Sequence, residues 1–171
     1  MKIHPAYNRT IAEHSFLFRP ITDSDRTFLL KLYGSTRTDE LALTGWTEDQ
    51  KKEFLNQQFS AQHTYYQENF PNASFLIIQD GETPVGRIYT DRRPDEIRLI
   101  DIALLPDYRG RGLGTALLEE LIAEASKAGK PLRIHVEKFN PALRLYERLG
   151  FRHIADSGVY FLMEWSPEDH K

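Results

Sequence analysis

The chain has 171 residues, 40% of them apolar and 27% charged, with a net charge of −3; that is enough mass for one domain with its own core and lies outside the ranges of disordered or membrane-embedded chains. Its longest apolar runs, Phe75-Leu76-Ile77-Ile78 and Ile102-Ala103-Leu104-Leu105, fall well short of the ~18 residues a membrane span needs, and the slightly negative charge leaves no electrostatic footprint for nucleic acid. There is no cysteine, which rules out disulfides, thiolate metal sites and any covalent thiol intermediate.

The opening Met1-Lys2-Ile3-His4-Pro5 turns polar without an apolar signal-type stretch, so a cytoplasmic protein is expected. Residues 1–15 carry little pattern and read as a lead-in, 16–165 as a single domain and 166–171 as a tail. Phe16-Leu17-Phe18-Arg19 before Pro20 predicts a strand. Thr22 and Asp23 supply cap chemistry for a helix through about Tyr33, with Phe28, Leu29 and Leu32 on one face. Residues 34–46 read as irregular. Thr47-Glu48-Asp49-Gln50 is a capping box opening a second helix through about Tyr66, its inner face using Phe54, Leu55, Phe59 and Tyr66.

Ser74 to Gln79 is β-rich, Asp80-Gly81 predicts a hairpin turn, and Val85 to Thr90 returns as a strand. After a turn at Arg92-Arg93-Pro94-Asp95, Glu96 to Leu105 predicts a long strand. Gly112 to Ala128 has the apolar period of a helix, with Leu113, Leu117, Leu121 and Ile122 inward, and Gly129 and Pro131 end it. Leu132 to Val136 predicts a strand, Pro141 to Leu149 a helix stopped by Gly150, and Phe151 to Asp156 with Val159 to Trp165 a terminal hairpin. The predicted order is β-αα-βββ-α-β-α-ββ; the strand, helix and strand over residues 96–136 imply one parallel pair in an otherwise antiparallel sheet.

The chemistry concentrates in Pro106-Asp107-Tyr108-Arg109-Gly110-Arg111-Gly112-Leu113-Gly114-Thr115. Three alternating glycines leave the backbone bare where a helix begins, and helix N-termini present unpaired N–H groups and the positive dipole end to anions. Arg109 and Arg111 add fixed charge, so a diphosphate with a long organic tail would suit the segment. A Walker loop is excluded because no Lys precedes Thr115. A dinucleotide fingerprint fits poorly: Thr115 stands at the third glycine position and the approach loop is long and basic, although Glu137 ends the next strand as a ribose-binding acid would. A glycine-rich turn selected only for packing is the plain alternative. The six histidines, His4, His14, His63, His135, His153 and His170, form no i, i+4 pair, so no metal site is expected.

Two ordered motifs carry a resemblance. Arg109-x-x-Gly112-x-Gly114 after a strand, and later Asn140-Pro141-Ala142-Leu143-Arg144-Leu145-Tyr146-Glu147-Arg148-Leu149-Gly150-Phe151, resemble the two signatures of the GNAT superfamily of acetyl-CoA-dependent N-acetyltransferases, with likeness from Phe16 to about Trp165. Asn140 and Tyr146 stand one position closer together than in many members. The resemblance implies an α+β (mixed α/β) GNAT fold: a central mixed, mostly antiparallel sheet of six to seven strands flanked by about four helices.

It also implies acetyl-CoA as cosubstrate, no metal, an amine acceptor, and no nucleic-acid or membrane partner; a homodimer is compatible with it. The implied coenzyme contacts are the backbone near Ile102, Ala103 and Leu104, the cradle Arg109, Gly110, Arg111, Gly112, Leu113, Gly114 and Thr115, and Asn140. The N–H near Leu104 would polarise the thioester carbonyl. Tyr146 matches the family's general acid.

An alkyl amine is protonated at pH 7, as the lysine reference of ~10.4 shows, so a base is required. His135, on the polar face of its strand with Arg133 and Glu137, aligns with a position that holds a catalytic Glu in some relatives. Asp101, a lone carboxylate between Ile100 and Ile102, needs a partner and is the second candidate. The competing reading is a domain of the same family that binds a coenzyme or metabolite without turnover, and transfer of another acyl group such as succinyl is a variant of the first.

Overall fold

The structure, a computed structural model, describes residues 6–171. The lead-in read over residues 1–15 therefore lies partly outside the described residues, and the rest of it is ordered differently. Strand β1 (Tyr7–Ile11) pairs antiparallel with β2 (His14–Pro20). Ala12 and Glu13 close that hairpin with φ of 51° and 67°, the left-handed pair of a two-residue turn normally marked by Asn or Gly. Lacking that mark, the turn hides the strand from a sequence reading. The expected tail contains one 3-10 turn, Pro167–His170, and the His170 ring stacks on Trp165 at 4.8 Å.

Helix α1 (Arg26–Ser35) follows a 3-10 turn at Asp23–Asp25. Arg19 holds Asp25 with two bonds of 2.7 and 2.8 Å, and Asp25 in turn accepts from the Thr22 N–H at 2.8 Å. Arg19 first, then the Thr22 contacts, hold the Asp25 carboxyl below its usual range. The stretch expected to be irregular contains a short helix, α2 (Thr38–Ala42), whose single turn is too brief to show an apolar period. In α3 (Glu48–Asn69) the expected capping box forms: Gln50 N–H donates to Thr47 Oγ1 at 3.2 Å and Thr47 N–H to Gln50 Oε1 at 2.9 Å.

The remaining elements are β3 (Ser74–Asp80), β4 (Thr83–Arg92), β5 (Ile97–Leu104), α4 (Leu113–Ala128), β6 (Leu132–Glu137), α5 (Leu143–Arg148), β7 (Arg152–Asp156) and β8 (Tyr160–Trp165). The sheet has eight strands in the order β1-β2-β3-β4-β5-β6-β8-β7. It is mixed and mostly antiparallel; among the described residues there are five α-helices, and β1 and α2 account for the one strand and one helix beyond the expected numbers.

Two compact units divide the chain. One takes the chain up to Ile88 together with Ala103–Arg109; the other takes Tyr89–Ile102 and Gly110–Lys171. In the first, Leu29, Tyr33, Phe59 and Ile77 form a buried cluster flanked by Ile21, Phe28, Leu30 and Leu55. In the second, α4 lies on β6 and buries Leu113, Leu117, Leu118, Leu121 and Ala125, while β6 buries Leu132, Ile134 and Val136. Each of these leucine, isoleucine and valine side chains contributes about 1.5–3 kcal/mol by leaving water. Leu118 takes the deep position expected for Ile122, which is only partly covered.

The β5–β6 pair is parallel, and its register is short: Ile97↔Leu132, Arg98↔Arg133 and Leu99↔Ile134. Beyond Leu99, β5 runs on to Leu104, whereas β6 continues to Glu137 paired antiparallel with β8.

Candidate active site

The segment after β5 is built for a bare backbone. Pro106–Tyr108 makes a 3-10 turn, and Gly110 and Gly112 follow with φ of 72° and 82°, a conformation that costs an L side chain about 1–2 kcal/mol. Apart from the adjoining residues, no heavy atom of the protein lies within 4 Å of where a Cβ on either glycine would stand, so both are glycine for conformation and access rather than for packing. Gly112 is the N-cap of α4 and no side chain caps that end. The first N–H groups of a sixteen-residue helix, beginning at Leu113, Gly114 and Thr115, are thus left to an external acceptor. The donor set and the space above it fit a diphosphate.

The strand leading there is held from below. A Cβ on Gly86 of β4 would stand 2.6 Å from the Ala103 carbonyl oxygen and 2.7 Å from Leu104 Cδ2, so only glycine lets β4 approach the end of β5. Leu105 N–H donates to the Val85 carbonyl at 2.8 Å, and Arg109 Nε to the Leu104 carbonyl at 2.9 Å. The Leu104–Leu105 peptide is thereby fixed through both its polar atoms. Tyr108 donates from its hydroxyl to Asp80, which also meets His14 Nε2 at 2.7 Å. Sequence reasoning did not pair Asp80 with Tyr108, because the two lie far apart in the chain.

Tyr146, on α5, is 2% exposed, and its ring meets Phe151 edge-on at 5.5 Å. Burial, and then the negative charge of Asp101, pushes its hydroxyl far above the ordinary tyrosine range. Two of the residues singled out in the sequence are therefore within electrostatic reach of each other. Asn140 uses its side chain locally: Oδ1 accepts from the Ala142 N–H at 2.8 Å, an Asx-type turn that sets the start of α5.

His135 lies on the half-exposed polar face of β6, as its alternation predicted. Its Nδ1 is 3.0 Å from Arg98 Nη1. Arg98 also donates to Glu96 at 3.1 Å, and the buried Glu96 carboxylate accepts from Arg93 at 2.9 Å and Arg133 at 3.4 Å; Arg133 reaches Glu164 at 2.7 Å. Desolvation first, and then the Arg98 charge, lower the His135 pKa from its ordinary value, with Glu96 acting in the opposite sense. Arg98, which no motif singles out, is thus His135's immediate neighbour. Among the described residues no cluster of His, Cys, Asp or Glu is placed to hold a metal ion, and no helix is long and apolar enough to cross a membrane.

Comparison with known proteins agrees with this architecture. Over residues 42–151 the chain matches the model of the Acetyltransferase (GNAT) family. Over 80 residues it is 44% identical to the ribosomal protein bS18–alanine N-acetyltransferase of Escherichia coli K12, an alignment covering 46% of this chain and 53% of that protein. The chain thus spans about half the length of the curated relatives it is similar to.

Among solved structures, the fold resembles the PaiA N-acetyltransferase of Thermoplasma acidophilum in complex with coenzyme A, with a TM-score of 0.64 at 20% identity over 88% of this chain and 98% of that one. The ribosomal-protein-S18-alanine N-acetyltransferase of E. coli gives 0.56 at 23% identity over 88% and 93%. At such identities the likeness is one of fold. Because the family model covers well over half of its residues, the chain belongs to the acetyltransferase (GNAT) family.

Proposed function

We propose that this protein is an acetyl-CoA-dependent N-acetyltransferase that moves the acetyl group to a primary amine by direct attack within a ternary complex. One observation carries the reading: an uncapped helix N-terminus behind two left-handed glycines, at the end of a parallel strand whose pairing with β6 stops at Leu99. Family membership supports the same reading. Residues 16–165 act as one acetyltransferase domain, in the cytoplasm, with a homodimer as the working assembly.

In this reading the N–H groups from Gly110 through Thr115 receive the diphosphate, and Arg111 adds charge beside them. The backbone of Ile102, Ala103 and Leu104 pairs with the pantetheine amides, and Asn140 contributes through the turn it builds under α5. The fixed Leu104–Leu105 peptide steadies the residue whose own N–H, in the preceding peptide, is offered to the thioester carbonyl, where negative charge grows as the amine attacks. The amine nitrogen bonds to the acetyl carbon, the carbon–sulfur bond breaks, and one proton leaves the nitrogen while one reaches the sulfur. With no cysteine in the chain, no thiol-bound acetyl intermediate is available.

Tyr146 serves the leaving sulfur. Its raised pKa keeps the hydroxyl protonated, and full transfer to a thiolate of reference pKa ~8.5 is uphill. Tyr146 therefore acts chiefly by donating a hydrogen bond as the charge develops. For the base, geometry favours Asp101 over His135. The Nδ1 lone pair of a neutral His135 is committed to Arg98, which leaves Nε2 carrying the proton and unable to accept another.

The E. coli relative is named for an alanine of a ribosomal protein, so a peptide beginning with alanine is the first acceptor to test. Calorimetry with coenzyme A, followed by acetyl-CoA turnover with that peptide and with an amine library, tests the proposal. Failure to bind coenzyme A would overturn it; binding without release of free coenzyme A from acetyl-CoA plus any amine would leave a coenzyme-binding module.

A further inference from the structure

Arg109 opens the glycine segment, and its charge invites a direct role on a diphosphate. Its guanidinium is used inside the protein instead. Nε donates to the Leu104 carbonyl at 2.9 Å, and Nη2 donates to Ser35 Oγ at 3.1 Å and reaches the Ser35 carbonyl at 3.5 Å. Ser35 is the last residue of α1, and its Oγ also donates to the Leu32 carbonyl at 2.6 Å. The carbonyls of Tyr33 and Gly34 accept from the N–H groups of Thr36 and Arg37, at 3.0 Å each. The Ser35 end of the helix, its negative dipole terminus, is where the guanidinium arrives. Straight after it come α2 and Leu43, which is 89% exposed.

One side chain thus joins three places: the end of β5, the loop that leads into the glycines, and the end of α1. The Leu104–Leu105 peptide is also pinned from the other side by Val85, so the backbone under Arg109 is held, while both guanidinium contacts, to Leu104 and to Ser35, are exposed to solvent. Solvent-exposed contacts of this kind open and close readily, and fixing the backbone that carries one partner makes the closed form persist.

We propose, building on the coenzyme reading above, that Arg109 is a positioning residue: it transmits occupancy of the glycine cradle to the end of α1, so that coenzyme binding orders residues 36–43 before the amine arrives. Arg109 then works through its fork of donors more than through its charge on phosphate. A lysine would keep the charge and lose the fork.

Hydrogen exchange on the full chain, with and without saturating coenzyme A, tests this, and calorimetry establishes binding beforehand. In the wild type, coenzyme A should slow exchange of the amides of residues 36–43 by roughly fivefold or more. In Arg109→Lys, at saturating coenzyme A, that protection should be lost while protection of the α4 N-terminus is kept. Ser35→Ala, which leaves the Leu104 contact in place, should lose most of the protection at 36–43 with a coenzyme Kd within about twofold of wild type. Wild-type binding with unchanged exchange at 36–43, or full protection in Arg109→Lys, would overturn the inference and leave the coenzyme reading standing. Absence of binding in the calorimeter would overturn the coenzyme reading itself, and the inference with it.

Discussion

Arg98 Nη1 lies 3.0 Å from Nδ1 of His135, and since arginine can only donate, the imidazole nitrogen facing it must accept. The native ring is therefore held neutral with its proton on Nε2, in line with a pKa lowered by desolvation and by Arg98. The unfolded chain takes up a proton near the ordinary ~6.5, while the native protein does so only at lower pH. Stability from this group is thus complete above about pH 6.5 and is lost as pH falls toward the native pKa. Replacing Arg98 with Met should raise the His135 midpoint, read as an upward shift of its imidazole resonances in an NMR titration. An unchanged midpoint would show that Arg98 does not set the ring's protonation.

The same contact separates the two candidate bases. Asp101→Asn should lower kcat/KM by roughly 10²-fold or more, the usual worth of a positioned base. His135→Ala should leave kcat/KM near the wild-type value. The reverse pattern would make His135 the base and require Arg98 to leave it during turnover.

Tyr146→Phe tests one hydroxyl, since the ring, its burial and its contact with Phe151 stay. Stability should change by no more than about 1 kcal/mol, coenzyme Kd should hold, and kcat should fall by roughly 10²-fold. A variant retaining over half of wild-type kcat, with chemistry shown to be rate-limiting, would make Tyr146 a packing residue only.

Gly112→Val should separate conformation from access. Its Cβ would touch nothing in the protein, so the fold should survive with a loss of about 1–2 kcal/mol from the left-handed φ. Affinity for coenzyme A should fall more than tenfold, because the side chain stands over the helix N–H groups. Gly112→Asn, which tolerates that φ better, should recover stability without recovering affinity. Thermal melts and calorimetry on both variants check this.

Glu96 offers a stability test away from the chemistry. Its carboxylate is 7% exposed and faces Arg93, Arg98 and Arg133. Removing it leaves three cations without their shared partner, and breaking a buried pair costs about 3–5 kcal/mol. Glu96→Ala should destabilise by about 3 kcal/mol in urea titration and should lower the His135 pKa further, since Glu96 now opposes the fall.

Local chemistry was legible in the sequence and distant chemistry was not. Thr47 with Gln50, and Gly112 with Gly129 around α4, could be read because caps act within one turn of the chain. The alternation of Arg133, His135 and Glu137 against Leu132, Ile134 and Val136 gave both faces of β6. By contrast, Ala12-Glu13 turns without a glycine, and α2 is too short to show a period. At the candidate site, the glycine cradle was visible as a run of residue types. Arg109's partner Ser35 lies 74 positions away, and Arg98 meets His135 only because β5 and β6 run side by side. Such contacts depend on register, which no single stretch of sequence encodes.

The early end of the β5–β6 ladder changes when part of the sheet is completed. A fully zipped parallel pair would release its cohesion during folding; here the register closes three rungs, from Ile97 to Leu99, and the strand beyond is left for a guest with amides of its own. In the proposed function that guest is the pantetheine arm, so ligation is the last step of sheet assembly. Saturation with coenzyme should then slow amide exchange along β5 beyond Leu99 as well as at the cradle.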